Sequence, residues 1–238
     1  MEHQDLSHHW SRQFNAELEA VRNSVMAMGG LVEEQLRRAV EALVRGDSEL
    51  GEQVARDDYK VNRFEVSIDE DCSRIIARRQ PTAGDLRLLM AVVKTITDLE
   101  RIGDEAEKIG YLASRLAAQE RPMDSYQAIQ HLADLVAGML NRALDAFARM
   151  DPEEAMRIVR QDEVVDREYE AVSRQGITLM MENPRTIRRV LDTLWAARAL
   201  ERIGDHAKNI CEYVVYMVRG KDIRHVKLDD AERQARDE

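Results

Sequence analysis

The segment at residues 98–109, DLERIGDEAEKI, is written again at residues 199–210 as ALERIGDHAKNI, with LERIGD identical in both. Asp104 and Asp205 are 205 − 104 = 101 residues apart in a chain of 238, so the sequence reads as two tandem halves of one unit. Whatever fold suits one half must suit the other. The repeated segment has helical spacing, and only 11 Gly and 4 Pro punctuate the whole chain, so long helices are the expected element.

Each half supports three of them. In the first, apolar residues recur every three or four positions over 11–45 (Phe14, Leu18, Val21, Val25, Met28, Val32, Leu36), over 48–78 (Leu50, Val54, Val61, Ile68) and from Thr82 or Asp85 to about 118. Gly29 and Gly30 interrupt the first pattern, where a kink or a close helix contact is expected. In the second half the patterns run over 125–150, 152–181 and 187–219. Asp151 before Pro152 is a strong helix start, and Asn183-Pro184 a strong stop. The predicted fold is all-α: two tandem three-helix bundles, six long helices related by an internal repeat. Residues 1–120 form the first bundle, 121–220 the second, with the joint at Arg121 and Pro122, and 221–238 a charged tail. Short connections make neighbouring helices antiparallel.

A net charge of −10 argues against nucleic-acid binding, which needs clustered Lys and Arg, and favours cations or basic partners. No apolar run approaches a membrane span, and the N-terminus MEHQDLSHHW lacks the blocks of a signal peptide, so a cytoplasmic protein is expected. Cys72 and Cys211 stand far apart on helical patterns and read as partly buried free thiols. His3, His8 and His9 read as solvated residues of a frayed end.

The charged residues that matter are paired carboxylates. Glu100 and Asp104, like Glu201 and Asp205, are four apart and share a helical face that continues an apolar row, which puts them near a helix seam. The middle helices carry Asp58 with Asn62, and Asp162 with Asp166, at the same spacing in similar frames, RDDYKVNR and RQDEVVDR. Oxygen ligands at several points suit hard or borderline divalent ions. Gly103 and Gly204 would let a neighbour approach closely. The other reading is structural: Arg101, Lys108, Arg202 and Lys208 can simply pair with these carboxylates. Glu-x-x-His pairs of a ferritin-like oxidase, phosphate loops and nucleophile motifs are missing. Arg87 and Arg188 also match between halves and could hold an anion.

The two LERIGD segments, the paired motifs of the middle helices, the six-helix layout and the late run VVYMVRGKDIRH resemble the PhoU family of regulators of bacterial phosphate uptake. The resemblance covers most of the chain. It implies repeated three-helix bundles, a homodimer, and multinuclear sites for divalent metal (Mg, Mn, Fe or Zn) on Glu100, Asp104, Glu201 and Asp205, assisted by Asp58, Asp162 and Asp166. Asn62 departs from the acidic pattern, so the first site is expected to be the weaker. The resemblance further implies a protein that is not an enzyme. It would restrain phosphate uptake and the phosphate-starvation response by linking the ATPase subunit of a phosphate ABC transporter to a sensor histidine kinase, reaching membrane complexes only through these partners. A helical scaffold without functional metal is the alternative, and a metal-dependent enzyme a more distant one.

Overall fold

The computed structural model describes residues 3–119, 126–224 and 226, with side chains from residue 12 onward. The His3, His8 and His9 side chains, the joint at Arg121 and Pro122 and most of the charged tail lie outside the described residues. Helix α1 spans His3–Arg45, α2 Ser48–Asp57, α3 Tyr59–Arg79 and α4 Ala83–Ala117. Helix α5 spans Gln127–Arg149, α6 Pro152–Glu182 and α7 Ile187–Arg219, with a short 3-10 turn at Pro184–Thr186 before α7.

Local chemistry sets most of these boundaries. Gly46, at φ 72°, ends α1 in the left-handed conformation, and the Asp47 carboxylate then accepts the Leu50 N–H at 3.0 Å to open α2. The second half repeats the device 104 residues later. Met150, at φ 53°, ends α5, and Asp151 accepts the N–H groups of Glu153 and Glu154, with Pro152 in the first turn. Gln80 turns left-handed at φ 48° after α3, as the residue before Pro81 must leave the right-handed helix.

One predicted helix differs. The apolar pattern over 48–78 reads as a single helix, and Asp58, which separates α2 from α3, itself keeps a right-handed helical backbone at φ −57° and ψ −35°. There the Val61 N–H bonds to the Asp58 carbonyl at 2.8 Å, one residue tighter than an α-helix, while the Asn62 bond to it lengthens to 3.4 Å. About two turns earlier α2 meets α4 closely. A Cβ on Gly51 would lie 2.5 Å from the Gly110 carbonyl oxygen, and one on Gly110 would lie 2.7 Å from that of Gly51, so α2 and α4 touch backbone to backbone. In the second half these places are held by Ala155 (51 + 104) and Cys211 (110 + 101), and α6 runs unbroken.

Helices α1 to α4 pack as one bundle and α5 to α7 as the other. The most extensive pairing is between α4 and α7, the two helices that carry LERIGD, and α1 also packs on α5. Gly29 serves that second contact, since a Cβ there would sit 2.7 Å from Leu144 on α5, whereas Gly30 faces open space. The helix is not broken at either glycine. Buried side chains from both halves form one continuous apolar cluster, so the repeats share a core.

Candidate metal centre

In the first half, the junction of α2 and α3 places Asp58 against α4. Its side chain is buried, and one oxygen each from Asp58, Asp104 and Glu107 lie within 4.8 Å of one another. Oxygens on one divalent ion, at about 2.0–2.6 Å from it, sit at separations of this order. Gly103 leaves the space: a Cβ there would meet Asp58 Oδ1 at 3.1 Å, Val61 Cγ1 at 3.3 Å and Gln35 Oε1 at 3.4 Å. Gln35 is only 5% exposed and donates from Nε2 to Asp58 Oδ1 at 3.0 Å, while its own Oε1 is buried with no hydrogen-bond partner. An orphaned amide oxygen beside converging carboxylates is a donor set for a hard cation.

The surroundings leave negative charge in place. Burial, then the proximity of Asp58 and Asp104, pushes the Glu107 carboxyl above its ordinary range, and burial followed by Asp104 does the same to Glu100. Burial also raises Glu65, against a hydrogen bond from Thr97. The compensating Arg101 lies half-exposed outside the cluster and reaches Asp104 at 3.2 Å and Glu100 at 3.4 Å. Asn62 is exposed and donates to Asp58 Oδ2 at 3.2 Å, so it orients the aspartate from outside.

The second half assembles the same frame with different contents. Gly204 sits against Val165, whose Cγ1 would lie 3.2 Å from an added Cβ, as Gly103 sits against Val61. Asp162, Asp166, Glu201 and Asp205 again face the α6–α7 seam, and Asp162 and Glu201 are buried. Here Lys208 reaches in and donates to Asp162 Oδ2 at 2.6 Å. Burial works against the Lys208 charge, but the hydrogen bond and charge of Asp162 outweigh it and hold the ammonium above its ordinary range. Arg198 pairs with Glu201 Oε1 and stacks over Tyr169, while Glu201 Oε2 stays buried and unpartnered. Burial remains the leading cause raising Asp166, Glu201 and Asp205, each followed by a neighbouring carboxylate. The structural reading of Lys208 from the sequence therefore holds in this half. Among the described residues, the grouping of Asp58, Asp104 and Glu107 lies in the half that carries Asn62.

Sequence reasoning missed Glu107 and Gln35. Glu107 lies inside the repeated segment, opposite Lys208 (107 + 101), and the change of sign was visible; Gln35 gave no signal, being one glutamine on α1. His206 is a seam residue. Its Nδ1 lies 2.6 Å from Oδ1 of buried Asp98, which also accepts from Asn209 Nδ2 at 3.0 Å. Arg202 pairs with Glu105 at 3.1 Å and Arg115 with Asp192 at 2.8 Å, so contacts descend α7 as they ascend α4, and the two helices are antiparallel. Arg87 packs beside Gly220 at the end of α7, while Arg188 is exposed at its start; the two do not form one anion site. Cys72 and Cys211 are buried free thiols.

Two three-helix bundles meeting through the helices that carry a doubled acidic motif define a class of tandem helical-repeat protein. Comparison with known proteins then identifies the particular family. The PhoU domain model matches twice, at residues 25–113 and 129–214, and the chain belongs to the PhoU family. It is 52% identical over 223 residues to the phosphate-specific transport system accessory protein PhoU homolog of Pseudomonas aeruginosa, covering 94% of this chain and 92% of that protein. It is 50% identical over 234 residues to the phosphate-specific transport system accessory protein PhoU of Escherichia coli, covering 98% and 96%. The crystal structure of PhoU from Pseudomonas aeruginosa superposes with a TM-score of 0.85 at 51% identity over 87% of this chain and all of that one. That of the phosphate transport system regulatory protein PhoU from Streptococcus pneumoniae gives 0.82 at 30% identity, over 88% and 98%. These relatives are named as accessory or regulatory proteins, not enzymes. No helix among the described residues is long and apolar enough to cross a membrane.

Proposed function

We propose that the chain is an accessory protein of a phosphate-specific transport system that restrains phosphate uptake and holds the starvation response off when phosphate is plentiful. The observation that supports this is near-full-length identity of about half to relatives named as accessory proteins of a phosphate-specific transport system. In this reading the chain works by contact, joining the transporter ATPase to a sensor histidine kinase, and its own shape is the signal.

A divalent cation fits the first-half cluster. Asp58, Asp104 and Glu107 would hold it, with Gln35 Oε1 and Glu100 close by. When bound, such an ion supplies positive charge to a seam that otherwise carries buried carboxylates. The protein's part is to hold α3 against α4: Asp58 stands at the junction of α2 and α3, and Asp104 and Glu107 stand on α4, so the ligands lie on both sides of the seam. Partner surfaces on α3 and α4 would be presented in one relative orientation.

The test is alkaline phosphatase activity in phosphate-rich medium, in the encoding bacterium with and without this gene. High activity in the deletion strain, restored to low by the wild-type gene, is expected. Low activity in the deletion strain would overturn the regulatory role.

A further inference from the structure

The two halves agree in backbone frame and disagree in what fills it. Their registers are fixed by contacts that recur. Arg38 pairs with Asp57 in the first half, and Arg142 with Gln161 in the second, each 104 residues on, and the N-caps Asp47 and Asp151 keep the same offset. The LERIGD helices are offset by 101. Glu107 therefore corresponds to Lys208, Gln35 to the fully buried Met139, Thr97 to Arg198 and Glu65 to Tyr169. Against these four, Asp166 stands where the first half has Asn62, so on balance the second half has one carboxylate fewer; it lacks the orphaned amide oxygen, keeps a buried unpartnered oxygen on Glu201, and gains an ammonium and a guanidinium.

We infer that Lys208 is a built-in cation: its ammonium takes, between α6 and α7, the place that a divalent ion takes between α3 and α4, so the chain binds metal in its first half only. The inference rests on the reading of the first-half cluster as a metal site. An ammonium at 2.6 Å from Asp162 supplies one permanent charge on a tether, and it does not depend on the metal supply. Met139, where the first half has Gln35, removes a neutral oxygen that could ligate a cation. The second seam is thus closed at all times, and the first is closed when a divalent ion is present.

The experiment is Mn(II) binding by equilibrium dialysis with elemental analysis, on chelator-stripped full-length chain, with circular dichroism as a check on folding. Wild type should bind Mn(II), Asp104→Asn should weaken that binding by about tenfold or more, and Asp205→Asn should leave it unchanged. Glu107→Lys should abolish binding with helicity kept, because it installs in the first seam the cation the second already has. Lys208→Glu should add binding that Asp104→Asn does not remove, and its melting temperature should rise on adding Mn(II). Loss of Mn(II) from Asp205→Asn, or undiminished binding by Glu107→Lys, would overturn the inference. A wild type that binds no Mn(II), together with a Lys208→Glu chain that does, would instead remove the first-half metal reading and leave the role of Lys208 standing.

Discussion

Replacing Gly51 by Ala should destabilise the fold even though alanine is the better helix former. On an open helix surface the change is worth up to about 1 kcal/mol in favour of alanine. At residue 51 the new methyl would lie 2.5 Å from the Gly110 carbonyl oxygen and 2.8 Å from Ser114 Oγ, and the first of these is backbone. Neither helix can move aside without disturbing the seam, and overpacking of this kind costs about 1–3 kcal/mol. The net expectation is a loss of up to about 2 kcal/mol. For a chain of this size that lowers the melting temperature by up to roughly 8 °C. Gly30→Ala and Gly138→Ala are internal controls, because each faces open space within a helix and should stabilise the fold by up to about 1 kcal/mol. Thermal or urea unfolding followed by circular dichroism measures all three. A Gly51→Ala chain that gains stability alongside the controls would refute backbone contact between α2 and α4.

Two further outcomes follow from buried titratable groups. Burial, partly offset by Lys208 and Arg224 and reinforced by Asp222 and Asp162, pushes the Glu212 carboxyl from 4.5 to about 7. The group is neutral in both states below pH 4.5. Above that the unfolded chain ionises first, so the stability it contributes is lost as pH rises through about 7. Glu212→Gln should therefore gain on wild type by about 2 kcal/mol between pH 5.5 and 8 in urea titrations; an unchanged gap would contradict the assignment. Burial also raises the Cys72 thiol to about 12 and the Cys211 thiol above its ordinary range, so both should resist an aromatic disulfide reagent in the native chain and react on unfolding. Rapid reaction of either native thiol would show that its helix face opens.

What could be read from the sequence was whatever is decided locally or by repetition. The caps at Asp47 and Asp151 and the stops at Pro81, Asn183 and Gly220 are set by residues within a turn of the boundary. The carboxylate pairs face the seams because a four-residue spacing fixes one helix face. The tightened turn at Asp58 left no such mark, since it has no adjacent Gly or Pro, and the contact of Gly51 with Gly110 joins residues 59 apart (110 − 51). Gln35 was hidden for the same reason: α1 brings it to Asp58 from 23 residues away. Identity between the LERIGD copies pointed to the paired carboxylates, and Glu107 and Lys208 a few letters later are where the two copies differ in sign.

The seam between α4 and α7 has a consequence for how such a chain can change. Each half offers the same helix to the other, as two subunits would across an axis. In a symmetric pair of separate chains, one codon change alters both sides at once. Joined in one polypeptide, the two sides mutate independently. Asp98 can keep His206 and Asn209 while its own counterpart, 101 residues on, is Ala199, and Glu105 can take Arg202 where the matching position holds His206. Fusion lets the two faces of one seam carry different partners.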